Sequence, residues 1–166
     1  MMAITVEELQ SQFKPDEEGY YFVPDDGSPY DLIVALFGDA IARLELGTYR
    51  GDLLYVVRDL NGLYAYVHTG YGSCSGCDAL EYIERRLFDK DAPEEIAEAW
   101  QELAETVEGL RPHAWHTADD LLSWLNNHDW RGDYMSSEEP EIRTWIADVV
   151  APAVQSARAE QRPADA

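Results

Sequence analysis

The chain predicts an α+β fold: a small antiparallel sheet built on one hairpin, covered by several helices, with a helical C-terminal half. Three observations carry this expectation. Two runs rich in β-branched and aromatic residues, 52–59 and 63–70, flank Asn61-Gly62, a pair that supplies both positive φ angles of a type I′ turn. From Asp91 onward, apolar residues recur at helical spacing. Finally, 166 residues suffice for one domain with a real core but not for two. The expected layout is a single domain over 1–158 and a frayed tail over 159–166.

The elements follow in order. Residues 5–13 read as a short helix capped by Thr5, with Glu8 three places on to complete a capping box. A turn-rich acidic connection runs from Lys14 to Pro29, and inside it Tyr20-Tyr21-Phe22-Val23 reads as a short strand. Residues 30–38 are apolar on nearly every side, which predicts a buried helix. Residues 40–47 fit either an extension of that helix or the start of a sheet. In the hairpin, residues 53–57 are expected opposite 63–67. Ala79–Phe88 has Leu80, Tyr82, Ile83 and Leu87 at helical spacing. Pro93 suits a first helical position, and Ile96, Trp100, Leu103 and Val107 form an apolar stripe ending at Gly109. Thr117 opens a further helix with Leu121, Leu122, Trp124 and Leu125 inward. Ser136 or Ser137 opens the last one, which buries Ile142, Trp145, Ile146, Val149, Val150 and Val154 and is kinked by Pro152.

Charge sets the class of partner. Thirty-three acidic residues face twelve basic ones, a formal charge of −21. Such a charge repels nucleic acid and anionic membranes, and it suits a partner with a basic surface or a mimic of nucleic acid. Hydrophobic residues make up 46% of the chain and five are tryptophan, far too many for a disordered polymer. No apolar run approaches the ~18 residues of a membrane span, and the first residues lack the layout of a secretion signal. The expectation is a cytoplasmic protein.

Both cysteines fall in Gly70–Leu80, as Cys74-x-x-Cys77 between a strand and a helix. Four readings are open. Small residues and packed thiols suit a tight structural turn. The spacing also lets two thiolates share a zinc ion, with His113 and His116 as co-ligands in the absence of further cysteines. A thiol at a helix N-terminus has a lowered pKa and suits redox chemistry, although Asp78 and Glu81 oppose that effect. A glycine-rich loop feeding a helix can cradle an anion, but no Lys or Arg follows here.

The helix after Asp91 has no basic residue before Arg111. Glu94, Glu98, Glu102 and Glu105 recur three or four apart, forming one stripe opposite Trp100. Ordinary solvated faces intersperse Lys or Arg, so this stripe is the candidate surface for binding a partner. Farther on, His128 beside Asp129 has the residue types of a general base within a polar, aromatic stretch, although sequence neighbours rarely point at one place.

The stretch Gly72-Ser73-Cys74-Ser75-Gly76-Cys77-Asp78-Ala79-Leu80, with Arg50-Gly51-Asp52-Leu53-Leu54 and His128-Asp129-Trp130-Arg131-Gly132-Asp133, resembles a set of small acidic proteins of actinobacteria and their phages, labelled uncharacterised. The resemblance covers the middle and late chain. It implies a phage or actinobacterial cytoplasmic protein and no particular activity. The functional expectation is therefore an interaction protein and not an enzyme. Its acidic surface would bind a basic protein, such as a host nucleic-acid-handling or defence protein if the source is a phage. The alternative is a zinc or thiol-redox protein that uses the cysteine loop.

Overall fold

A computed structural model describes residues 3–24, 27–47, 50–72, 78–88, 91–133 and 137–161. The chain is α+β, with helices, one antiparallel three-stranded sheet of order β1-β2-β3 and a helical C-terminal half. The strands are β1 (Asp39–Gly47), β2 (Gly51–Arg58) and β3 (Tyr64–Tyr71). No helix of the described residues is long and apolar enough to cross a membrane. Internal contacts divide the chain into two compact units, one of 1–36, 47–52 and 69–111, the other of 37–46, 53–68 and 112–166.

The segment 40–47, which the sequence leaves open, is strand. Ala42 and Leu46 are buried, while Arg43 and Glu45, two residues apart on the opposite face, pair at 3.0 Å. That two-residue period is a strand's and not a helix's. In β2 every residue from Leu53 to Val57 is buried, as befits a central strand covered on both sides.

The hairpin stands, but its turn differs from the expected two-residue one. The Gly62 N–H donates to the Asp59 carbonyl at 3.1 Å, and the Asp59 N–H donates to the Leu63 carbonyl at 2.9 Å. The loop is therefore Leu60-Asn61-Gly62, with Gly62 at φ +78°. The Asp59 carboxylate holds it by accepting from the Asn61 and Leu63 N–H groups. Pairing Asp59 with Leu63 sets Arg58 opposite Tyr64, so Val57 faces Ala65 and not Leu63.

In the first unit, α1 (Val6–Gln12) has the expected capping box between Thr5 and Glu8. Helix α2 covers only Pro29–Val34, shorter than the predicted 30–38. The chain leaves it through a turn at 35–37, and Gly38 then passes close against the backbone of Arg58 at the end of β2. No strand forms at Tyr20–Val23. The N–H groups of Tyr21 and Phe22 instead both donate to one Glu84 oxygen, each at 2.9 Å, so a side chain takes what a neighbouring strand would have bonded. Helices α3 (Ala79–Phe88) and α4 (Pro93–Leu110) pack together, and α1 also packs on α4. Leu80, Ile83 and Leu87 are buried on α3, but Tyr82 is 46% exposed against expectation. On α4 the buried stripe is Ala99, Trp100, Leu103, Ala104 and Val107.

The second unit packs α5 (Ala118–Asn127) and a long C-terminal helical run around its own core. That core contains Leu54, Val56, Tyr64, Leu121, Leu125, Trp130, Ile142, Trp145, Ile146, Val150 and Val154. Thr117 caps α5 as expected; Leu121 and Leu125 point inward, but Trp124 does not. The last run is α6 (Glu139–Trp145), a π-helical turn (Ile146–Val150) and α7 (Ala151–Glu160). The disturbance expected from Pro152 takes the form of that π turn. The Ala151 N–H donates to the Ile146 carbonyl five residues back, widening the helix just ahead of a ring that cannot donate and would strike an α-helical carbonyl. Val149, predicted inward, is 44% exposed because the wide turn shifts the apolar stripe. Of the tail predicted over 159–166, residues 159 and 160 belong to α7. Residues 162–166 lie outside the described residues.

Candidate functional site

The carboxylates of α4 are where the spacing puts them. Glu94, Glu98, Glu102 and Glu105 are all exposed, while Trp100 on the other side of the helix is 6% exposed. Glu102 is ion-paired with Arg86 of α3, a neutralisation invisible in α4's own sequence. Among the described residues no ion pair reaches Glu94, Glu98 or Glu105; Glu105 has only a long 3.5 Å hydrogen bond from Gln101.

Beside this stripe lies an open groove of about 1060 Å³ between α3, the start of α4 and the loop at 15–21. Asp16, Glu17, Glu18, Asp91, Glu95 and Glu98 line it, with Arg85, Arg86, Tyr21, Tyr82 and Phe88. The loop holds its shape through Asp16. One oxygen of its carboxylate accepts from the Glu18 and Tyr20 N–H groups, each at 2.9 Å, and its own N–H donates to the Tyr20 carbonyl. Aromatic surface is left in the open here: Tyr20 is 43%, Tyr82 46% and Phe88 49% exposed, and the Tyr20 and Phe88 rings meet at 5.5 Å. The Arg86 guanidinium lies 4.4 Å from the centre of the Tyr82 ring while it pairs with Glu102. Carboxylates around exposed aromatic rings make a surface suited to cations that also carry apolar bulk.

Cys74 and Cys77 lie outside the described residues, so the four readings of their loop stay as the sequence leaves them. Asp78 sits at the N-cap of α3, where one oxygen accepts from the Leu80 and Glu81 N–H groups and from the Tyr30 hydroxyl, the latter at 3.1 Å. Its other oxygen accepts from the Gly72 N–H at 3.1 Å. Burial, reinforced by this carboxylate, pushes the Tyr30 hydroxyl well above the ordinary phenol range. Asp78 thus ties together the two ends of the loop, a structural duty that its position just after Cys77 did not reveal.

Of the predicted zinc ligands, the structure describes only the two histidines. His113 is exposed, and His116 forms an isolated bridge with Tyr64, exchanging two 2.8 Å backbone hydrogen bonds. Among the described residues no group of three or more His, Cys, Asp or Glu is placed to hold a metal ion. His116 and His128 line one open pocket of about 490 Å³, together with Asp120, Ser123, Trp124, Asn127 and Asp129. His128 lies 4.6 Å from the Trp124 ring and 4.5 Å from that of Trp130, while His116 stacks on Trp124 at 6.4 Å. The i, i+4 spacing of Trp124 and His128 was a readable signal; the return of His116 was not, because it depends on the bridge to β3. His128 is held as an aromatic neighbour of two tryptophans, and its backbone carbonyl accepts from Arg143 at 2.9 Å.

No family model, curated protein or solved structure matches this chain.

Proposed function

We propose that this chain is an acidic interaction protein that binds a basic protein partner through the exposed carboxylates of α4. The observation that carries the reading is Glu94, Glu98 and Glu105, exposed on one face with no cation paired to them among the described residues. Like charges three and four residues apart destabilise a helix slightly, and a basic partner would reverse that penalty on docking. The whole-chain charge of −21 acts in the same direction, drawing a cationic surface in from a distance. If the source is a phage, the partner we favour is a host nucleic-acid-handling or defence protein, whose basic surface normally meets phosphate. Affinity capture from an actinobacterial lysate at low and high salt tests the reading. Binding through this face fades as ionic strength rises, and changing Glu94, Glu98 and Glu102 together to Gln weakens it. Absence of any salt-sensitive partner removes the proposal.

A further inference from the structure

We infer that the groove beside this stripe selects arginine, and that the docking segment of the basic partner is an extended stretch of chain presenting arginine side chains to Tyr82, Phe88 and the carboxylates around them. This rests on the reading just proposed and adds to it the chemistry of the contact. A bare acidic face distinguishes little between lysine and arginine, since both offer one positive charge. The groove adds aromatic surface: Arg86 and Tyr20 cover part of the Tyr82 and Phe88 rings, and each ring stays about half exposed. A planar guanidinium can stack on such a ring while its edge donates to a carboxylate; a lysine ammonium, compact and strongly hydrated, does this less well. The protein displays the arrangement on its own wall. Arg86 lies over the Tyr82 ring at 4.4 Å with Glu102 as its counter-ion.

Charge complementarity indicates the occupant. Glu95 and Glu98 project from α4 on one side and Asp16, Glu17 and Glu18 from the loop on the other, so carboxylates outnumber the groove's two arginines. Its volume of about 1060 Å³ is room for several side chains, which suits an extended segment better than a single small cation.

Two fluorescein-labelled peptides of equal charge test the inference, one with six arginines and one with six lysines, each spaced by Gly-Ser, measured by fluorescence anisotropy on the intact protein. The arginine peptide should bind about fivefold more tightly than the lysine peptide at physiological ionic strength. Phe88→Leu keeps apolar bulk and removes the π face, and Tyr82→Ala removes the other ring. Each should bring arginine binding down toward the lysine value and leave lysine binding within about twofold. A circular dichroism melt confirms that both variants fold. Tyr82→Phe, which keeps the ring, should bind as the parent does. Equal binding of both peptides overturns the inference, as does an arginine preference that survives Phe88→Leu and Tyr82→Ala together. If both peptides bind equally and Glu94, Glu98 and Glu102 to Gln weakens both, the groove inference fails and the acidic-surface reading stands. Binding of neither peptide at low salt overturns both.

Discussion

Gly38 shows how far one residue constrains this fold. A side chain there would run into the carbonyl oxygen of Arg58, a backbone atom at the end of β2 that cannot swing aside. Gly38→Ala should therefore destabilise the protein by about 2 kcal/mol, in the range of overpacked sites, as read by urea unfolding. A change within a few tenths of a kcal/mol would mean that the backbone there is freer to move apart. Glu108 gives a second test at this scale. Its carboxylate accepts from Arg111 Nε at 2.9 Å and Nη2 at 2.7 Å, and from the Ile4 N–H at 2.8 Å. Chiefly through the Arg111 hydrogen bonds, its pKa is lowered from 4.5 to about 2. A lowered folded-state pKa contributes stability that is fully present above the unfolded value and is lost as pH falls toward the folded one. Glu108→Gln should thus be less stable than the parent at neutral pH, the gap closing between pH 4.5 and about 2. Titration of the Glu108 carboxyl by NMR checks the cause directly, and a midpoint in the ordinary range would contradict it.

At the scale of elements, Arg143 joins α5 to α6. Its Nη1 donates to the Leu125 and Asn126 carbonyls at 3.3 and 2.7 Å, and its Nη2 donates to that of His128 at 2.9 Å. These are the carbonyls that the end of α5 leaves without helical partners. Arg143→Ala should cost about 2 kcal/mol in thermal or urea unfolding. Arg143→Lys should recover only part of it, since one ammonium lacks the guanidinium's fork. Full recovery by lysine would reduce the role of Arg143 to its charge. This scale is also where the sequence was most readable. Thr5 with Glu8, Pro93, Thr117 and the Leu80–Ile83–Leu87 spacing are local signals, and the helices start and face inward as those signals require. What could not be read depends on distant partners. Tyr20–Val23 has strand-forming residues, but Glu84 takes its N–H groups from more than sixty positions away. Tyr82 and Trp124 lie at the margins of apolar stripes, where spacing alone does not separate inside from outside. Of the candidate site, the α4 stripe was legible because it is one helix's periodicity. The groove was not, for it needs three segments to meet, and the Arg86–Glu102 pair bridges two helices.

For the whole molecule, charge is the dominant property, and the fold concentrates a part of it. The −21 of the chain would act alike on any cation if it were spread evenly. On α4 it is gathered on one exposed face, next to a groove that adds aromatic contact. Long-range attraction then sets the rate of encounter, and the stripe sets where the partner lands. The most direct test of this account is the dissociation constant of the captured basic partner as a function of ionic strength, for the parent protein and for the variant with Glu94, Glu98 and Glu102 all changed to Gln. Affinity of the parent should weaken steeply with salt, and the variant should bind more weakly at low salt with a visibly shallower slope. Superimposed curves for the two proteins would contradict it.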